Sequence, residues 1–131
     1  MKIYVDSSAL VAALNGEPDA IAALLEKHSR FTRTHTLAET FSQLTGGRLG
    51  RRFLPDDAAR MIRHNTKNFQ FVDLTKEEVF EALDNARQDG VRGGLVHDYL
   101  HVWAAHKAGV EKISTLNAAD FQPFTDLPVG L

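Results

Sequence analysis

A chain of 131 residues, 44% hydrophobic and 24% charged, has the size and make-up of one soluble globular domain, so residues 1–131 are expected to fold around a single core. Cysteine is absent, which excludes disulfides and thiolate metal sites and fits a reducing compartment. No apolar run approaches the roughly 20 residues needed to cross a bilayer, and no signal segment is visible, so a cytoplasmic protein without membrane contact is expected. The net charge of -2 hides an asymmetry: residues 1–68 carry ten Lys and Arg against seven Asp and Glu, and residues 69–131 carry five against ten. The basic excess is sharpest in 48–67, where a polyanion would be drawn, although a solvated helix face is the plainer reading.

Residues 2–5 read as a short strand, and helical patterns follow at 7–14 and 18–28, with Pro18 suited to a first turn. A second strand is expected at 31–35 and a helix at 37–45, ended by Gly46-Gly47. The segment 46–54 reads as a loop, and Pro55 opens a helix of about a dozen residues. Phe69-Gln70-Phe71-Val72 alternates like a half-buried strand, and Thr75-Lys76-Glu77-Glu78 resembles a capping box starting a helix toward Gln88. Residues 95–108 form an apolar helix closed by Gly109, so this helix should be central and buried. A late strand at 112–116 follows, and Val129 begins a last short one. Strands separated by helices imply crossover connections: a three-layer α/β/α arrangement with a mainly parallel sheet.

Four acids share one local setting. Asp6, Glu39, Asp98 and Asp120 each fall at or near a predicted helix start, on the sheet edge where strand ends and helix starts gather. Brought together there, four carboxylates repel unless a hard cation such as Mg²⁺ or Mn²⁺ sits among them. Each also has a plainer reading. Asp6-Ser7-Ser8-Ala9 is a good N-cap, Thr36-Leu37-Ala38-Glu39 fits a capping box, and Asn117 and Asp120 suit turns. Asp98, inside an apolar helix, needs a partner, which is either a nearby histidine, His97 or His101, or a shared cation.

His97-Asp98-Tyr99-Leu100-His101 resembles the zinc-protease helix motif with Asp for Glu, but no clear third ligand accompanies it. His97 and His101 are expected instead to line the site or its rim. A haloacid-dehalogenase-like phosphatase would need a second Asp where Ser8 stands, and no Gly-rich phosphate loop follows the first strand.

Tyr4-Val5-Asp6-Ser7-Ser8-Ala9-Leu10, Leu37-Ala38-Glu39, Val96-His97-Asp98 and Thr115-Leu116-Asn117-Ala118-Ala119-Asp120-Phe121, in that order along the whole chain, resemble a PIN domain, in particular the small VapC toxins of prokaryotic toxin–antitoxin pairs. The resemblance implies a sheet of about five strands and a metal-dependent ribonuclease. It implies catalytic roles for Asp6, Glu39, Asp98 and Asp120, with Mg²⁺ or Mn²⁺ on Asp6 and Asp98. Ser7, Thr115 and Asn117 match polar positions beside the acids, and Asn117 stands where some members carry another acid. RNA is the implied substrate, met by Arg48, Arg51 and Arg52. A VapB-like antitoxin and a second copy in a homodimer are the implied protein partners. A PIN nuclease of RNA maturation and a PIN-like binding module with little catalysis are the alternatives.

Overall fold

A computed structural model describes residues 1–25, 27–47, 50 and 52–131. Four strands, β1 (Lys2–Val5), β2 (Ser29–Thr32), β3 (Gln70–Phe71) and β4 (Lys112–Ser114), form one parallel sheet in the order β3-β2-β1-β4. Helices α1 (Ser7–Leu14) and α2 (Pro18–Ala22) join β1 to β2, and α3 (Thr34–Thr45) and α4 (Pro55–Thr66) join β2 to β3. The chain then crosses back through α5 (Lys76–Asn85) and α6 (Leu95–Ala108) to reach β4 on the far side of β1, and ends after α7 (Ala118–Phe121) and a 3-10 turn at Gln122–Phe124. The expected fifth strand is reduced to a single parallel bridge, Ile113 to Val129.

β1 is apolar on both faces because helices cover both faces of a parallel sheet. Ile3 and Val5 pack with Ala9, Leu10 and Phe69 on one side. Tyr4 packs on the other with Val102, Ala104, Ala105, Ile113 and Phe121. α6 is the central helix that its composition predicted, with Tyr99, His101, Val102, Ala104 and Ala105 buried. It stops at Gly109, whose φ of 68° lies in the left-handed region. A Cβ there would meet nothing within 4 Å, so the cost of Gly109→Ala is conformational alone. Chemical denaturation should show it about 1 kcal/mol less stable than wild type.

Several boundaries differ from expectation for identifiable reasons. The helix expected at 37–45 begins three residues earlier. Its N-terminus is capped from a distant loop, where Asp73 Oδ1 accepts from Thr34 N at 2.8 Å and from Thr34 Oγ1 at 3.1 Å. The capping box expected at Thr36 and Glu39 is therefore not formed. Thr36 is fully buried with its hydroxyl 2.8 Å from Thr32 Oγ1, and Glu39 sits in the second turn. The capping box at Thr75 and Glu78 forms as expected. The helix expected over 18–28 ends at Ala22, after which Ala23, Leu24 and Leu25 tighten into turns bonded three residues back. No described helix is long and apolar enough to cross a membrane.

Candidate active site

The strand order reverses at β1: the first crossovers build the sheet toward β3, and the last places β4 on the other side. In open α/β sheets the crevice at the carboxyl ends of the strands flanking such a reversal is where ligands bind. Asp6 leaves β1 at that point and Thr115 leaves β4 beside it. Asp6 is 2% exposed and is the N-cap of α1, as the plainer reading has it. Its Oδ1 accepts from Ala9 N at 2.9 Å and Ser8 Oγ at 2.8 Å, and its Oδ2 accepts from Thr115 Oγ1 at 2.6 Å. Burial raises its pKa, and the Thr115, Ala9 and Ser8 bonds only partly oppose that. Oδ2 keeps a free lone pair, since a carboxylate oxygen accepts two bonds.

Ser8 and Thr115 thus form the shell around Asp6. Ser8 Oγ also accepts from Leu116 N at 3.0 Å, and Thr115 Oγ1 accepts from Asn117 N at 3.0 Å, so the end of β4 is folded onto the carboxylate. Asn117 takes part through its backbone. Ser7 turns away, its hydroxyl 3.5 Å from Gln43 Nε2.

Asp98 stands in the first turn of α6, half-buried, and no hydrogen bond or ion pair holds its carboxylate among the described residues. Burial pushes its pKa up to about 6, and the charges of Asp6, Asp120 and Glu39 push the same way. All three other acids therefore act on Asp98. No histidine bonds Asp98, so the Asp–His contact weighed for it is not formed. Asp120, in α7, is exposed, and its backbone N–H closes a turn on Asn117 O at 2.9 Å.

Glu39 is held differently. Its Oε1 accepts from His101 Nε2 at 2.8 Å, while His35 Nε2 lies 4.0 Å from Oε2. Burial alone would raise this carboxyl, but the hydrogen bond from His101, with the charge of Arg33 beside it, outweighs it and keeps the pKa below the usual range. His101 is 1% exposed, not a rim residue. Tyr4 Oη lies 2.7 Å from its Nδ1 and Arg33 Nε 3.4 Å away, so both ring nitrogens are engaged. His97 is exposed and stacks on His35, with centroids 5.7 Å apart and planes 10° from parallel. The two histidines do not form a zinc pair.

Of the basic segment, Arg48 and Arg51 lie outside the described residues, and Arg52 is exposed. Arg60 pairs with Asp57. Arg63 and Lys67 border a groove of about 650 Å³ between α3 and α4, floored by Leu37, Phe41, Ile62 and Phe71. Sequence reasoning missed Ser8, Arg33 and Tyr4. Tyr4 carried the only signal, a hydroxyl in a strand that is otherwise apolar after Lys2.

Among the described residues no three His, Asp or Glu side chains converge into a ready-made metal cage. The donors nonetheless suit a hard divalent cation. They are carboxylate oxygens, one with a spare lone pair on Asp6 and one pair without a partner on Asp98. Mg²⁺ is commonly bound by one or two carboxylates with water filling its remaining positions.

A family model for the PIN domain matches residues 3–122. No curated protein matches the chain in sequence. Similar solved structures include VapBC2 from Rickettsia felis bound to a DNA fragment from their promoter, at a TM-score of 0.72 and 16% identity over 100% of this chain and 99% of that one. PAE2754 from Pyrobaculum aerophilum gives a TM-score of 0.68 and 18% identity over 98% of this chain and 89% of that one. VapBC-1 from nontypeable Haemophilus influenzae gives 0.64 and 17% over 98% and 96%. At such identities the likeness is one of fold.

Proposed function

The chain belongs to the PIN-domain family, and from that premise we propose that it is a metal-dependent endoribonuclease, the toxin of a VapC-like toxin–antitoxin pair. The observation that carries this reading is Asp98, an unpartnered acid in a buried helix, pushed up to about 6 by burial and by three neighbouring acids. A protein that needed these residues only as caps would have no reason to keep that repulsion. We read residues 1–131 as one such domain.

Asp6 and Asp98 would hold Mg²⁺ or Mn²⁺, directly or through water. When bound, such an ion acidifies water and offsets charge on a phosphate. Ser8 and Thr115 aim the Asp6 carboxylate, and the backbone of Asn117 steadies Thr115. Glu39, ionised at neutral pH, accepts the proton of the attacking water, and Asp120 at the exposed side orients it. Attack by water in line with the 3′-oxygen as leaving group breaks the P–O3′ bond and leaves a 5′-phosphate on one product and a 3′-hydroxyl on the other. Arg48, Arg51 and Arg52 contact RNA backbone, which positions a strand without reading its sequence.

The toxin reading draws on two similar folds solved as VapBC assemblies, and it is preferred on that ground to a nuclease of RNA maturation. A VapB-like antitoxin is the expected partner, its apolar side chains fitting the groove between α3 and α4, and the working form is a homodimer in the cytoplasm. Purified protein should cut single-stranded RNA in Mn²⁺ and stop in EDTA, and the new ends should carry 5′-phosphate. Cutting that is indifferent to EDTA, or no cutting of any RNA with the metal present, would remove this reading.

A further inference from the structure

We propose that His101 is a positioning residue for Glu39, locked by Tyr4 and Arg33 into the neutral tautomer with its proton on Nε2, so that Glu39 presents Oε2, with both its lone pairs free, to the site. The consequence for cleavage rests on the nuclease reading, whereas the lock itself rests on geometry.

The tautomer follows from the neighbours. Tyr4 Oη, 2.7 Å from Nδ1, can donate or accept and does not decide it alone. Arg33 Nε, at a longer 3.4 Å from the same nitrogen, can only donate, so its approach favours Nδ1 as an acceptor. On the other side, Glu39 Oε1 lies 2.8 Å from Nε2, and an ionised carboxylate can only accept. An Nδ1–H tautomer would set N–H against N–H at Arg33 and a lone pair against a carboxylate at Glu39. An imidazolium would still face the guanidinium. Burial keeps the Tyr4 phenol protonated and available as donor. With His101 1% exposed and Tyr4 fully buried, water does not compete for the bonds at Nδ1.

The lock spans the fold. Tyr4 comes from β1, Arg33 from the end of β2, Glu39 from α3 and His101 from α6. Arg33 Nη2 also donates to His97 O at 3.4 Å, tying the end of β2 to the turn that carries Asp98. Because Oε1 already accepts from His101, Oε2 is the oxygen with both lone pairs left for water. Its nearest charged neighbour, His35 Nε2, stands 4.0 Å away, beyond hydrogen-bond reach. A buried histidine serving only to fill the core would need none of this directionality.

Nitrogen-15 NMR of the imidazoles in the metal-free protein at neutral pH tests the lock without reference to cleavage. A neutral His101 protonated on Nε2 supports it, and an Nδ1–H tautomer or an imidazolium overturns it. Cleavage kinetics then test the consequence. In His101→Gln the amide offers N–H to Glu39 and oxygen to Tyr4, so activity should stay within a few-fold of wild type. His101→Leu, which keeps bulk but offers no donor, should lose about 10–100-fold in kcat with KM unchanged. Equal activity of His101→Leu and wild type, while Glu39→Gln is inactive, overturns the positioning role. A fully active Glu39→Gln instead sinks the nuclease role of Glu39 and leaves the tautomer measurement to judge the lock. Should His101→Leu fail to fold, the wild-type tautomer and the His101→Gln kinetics decide.

Discussion

Asp98→Asn should abolish RNA cleavage and, at the same time, make the metal-free protein more stable above pH 6. The two effects share one cause. The Asp98 carboxyl is raised from its ordinary 3.8 to about 6 in the folded chain. Between those values the folded protein binds a proton that the unfolded chain has released, so stability falls as pH rises through that window. The favourable contribution is complete below about 4 and lost above about 6. Asn carries no charge to lose, so the variant should match wild type near pH 4 and exceed it at pH 7 to 8. Two pK units correspond to about 2.7 kcal/mol, and a side chain half open to solvent feels less, so a gain of about 1–2 kcal/mol is expected. Loss of a metal-holding carboxylate removes several kcal/mol of charge stabilisation from the reaction, a fall of at least ~100-fold in kcat/KM. Thermal melts across pH, with metal chelated, check the first effect, and RNA cleavage checks the second. A variant that is both inactive and less stable at pH 8 would mean that Asp98 supports the helix and does not load the site.

Asp6 should separate its two roles by substitution. Asp6→Ala leaves Ala9 N without its acceptor and takes the acceptor from Ser8 and Thr115. Loss of the cap and of two hydroxyl bonds, the Thr115 one buried, should cost about 1–3 kcal/mol, relief of the buried charge offsetting part of it. Asp6→Asn keeps an oxygen for Ala9 N and Ser8, and its amide N–H can donate to a Thr115 hydroxyl that turns to accept. Its stability should lie within about 1 kcal/mol of wild type. Both variants should lose cleavage by ~100-fold or more, because neither offers the anionic oxygen. Retained activity in Asp6→Asn would leave Asp6 a cap and nothing further.

Much of the architecture was legible because local signals were strong. The apolar run at 2–5, the helix at 95–108 with Gly109 after it, and the Thr75 capping box all read correctly. Asp6, Glu39, Asp98 and Asp120 stood out as a group because strand ends and helix starts share an edge in a parallel sheet, although Glu39 lies in the second turn of its helix. What escaped depends on contacts distant in sequence. The start of α3 is set by Asp73, 39 residues away, so a local capping box at Thr36 looked sufficient and was not formed. The shell of Asp6 comes from Thr115, 109 positions on, and the hydroxyl nearer in sequence belongs to Ser8 while Ser7 faces Gln43. His101 was expected to line the site or its rim, but its full burial was not legible, because a histidine in a helix gives no sign that a tyrosine 97 residues earlier will meet it. The late strand stops at Ser114 because the side chain of Thr115 and the amide of Leu116 are drawn to Asp6 and Ser8.

Calorimetric titration of Mn²⁺ into wild type, Asp6→Asn and Asp98→Asn tests the central claim most directly, that these two acids share a divalent cation. The account predicts one class of site in wild type, lost or severely weakened in each variant, with all three proteins folded. Equal binding by all three, or none by wild type, would contradict it.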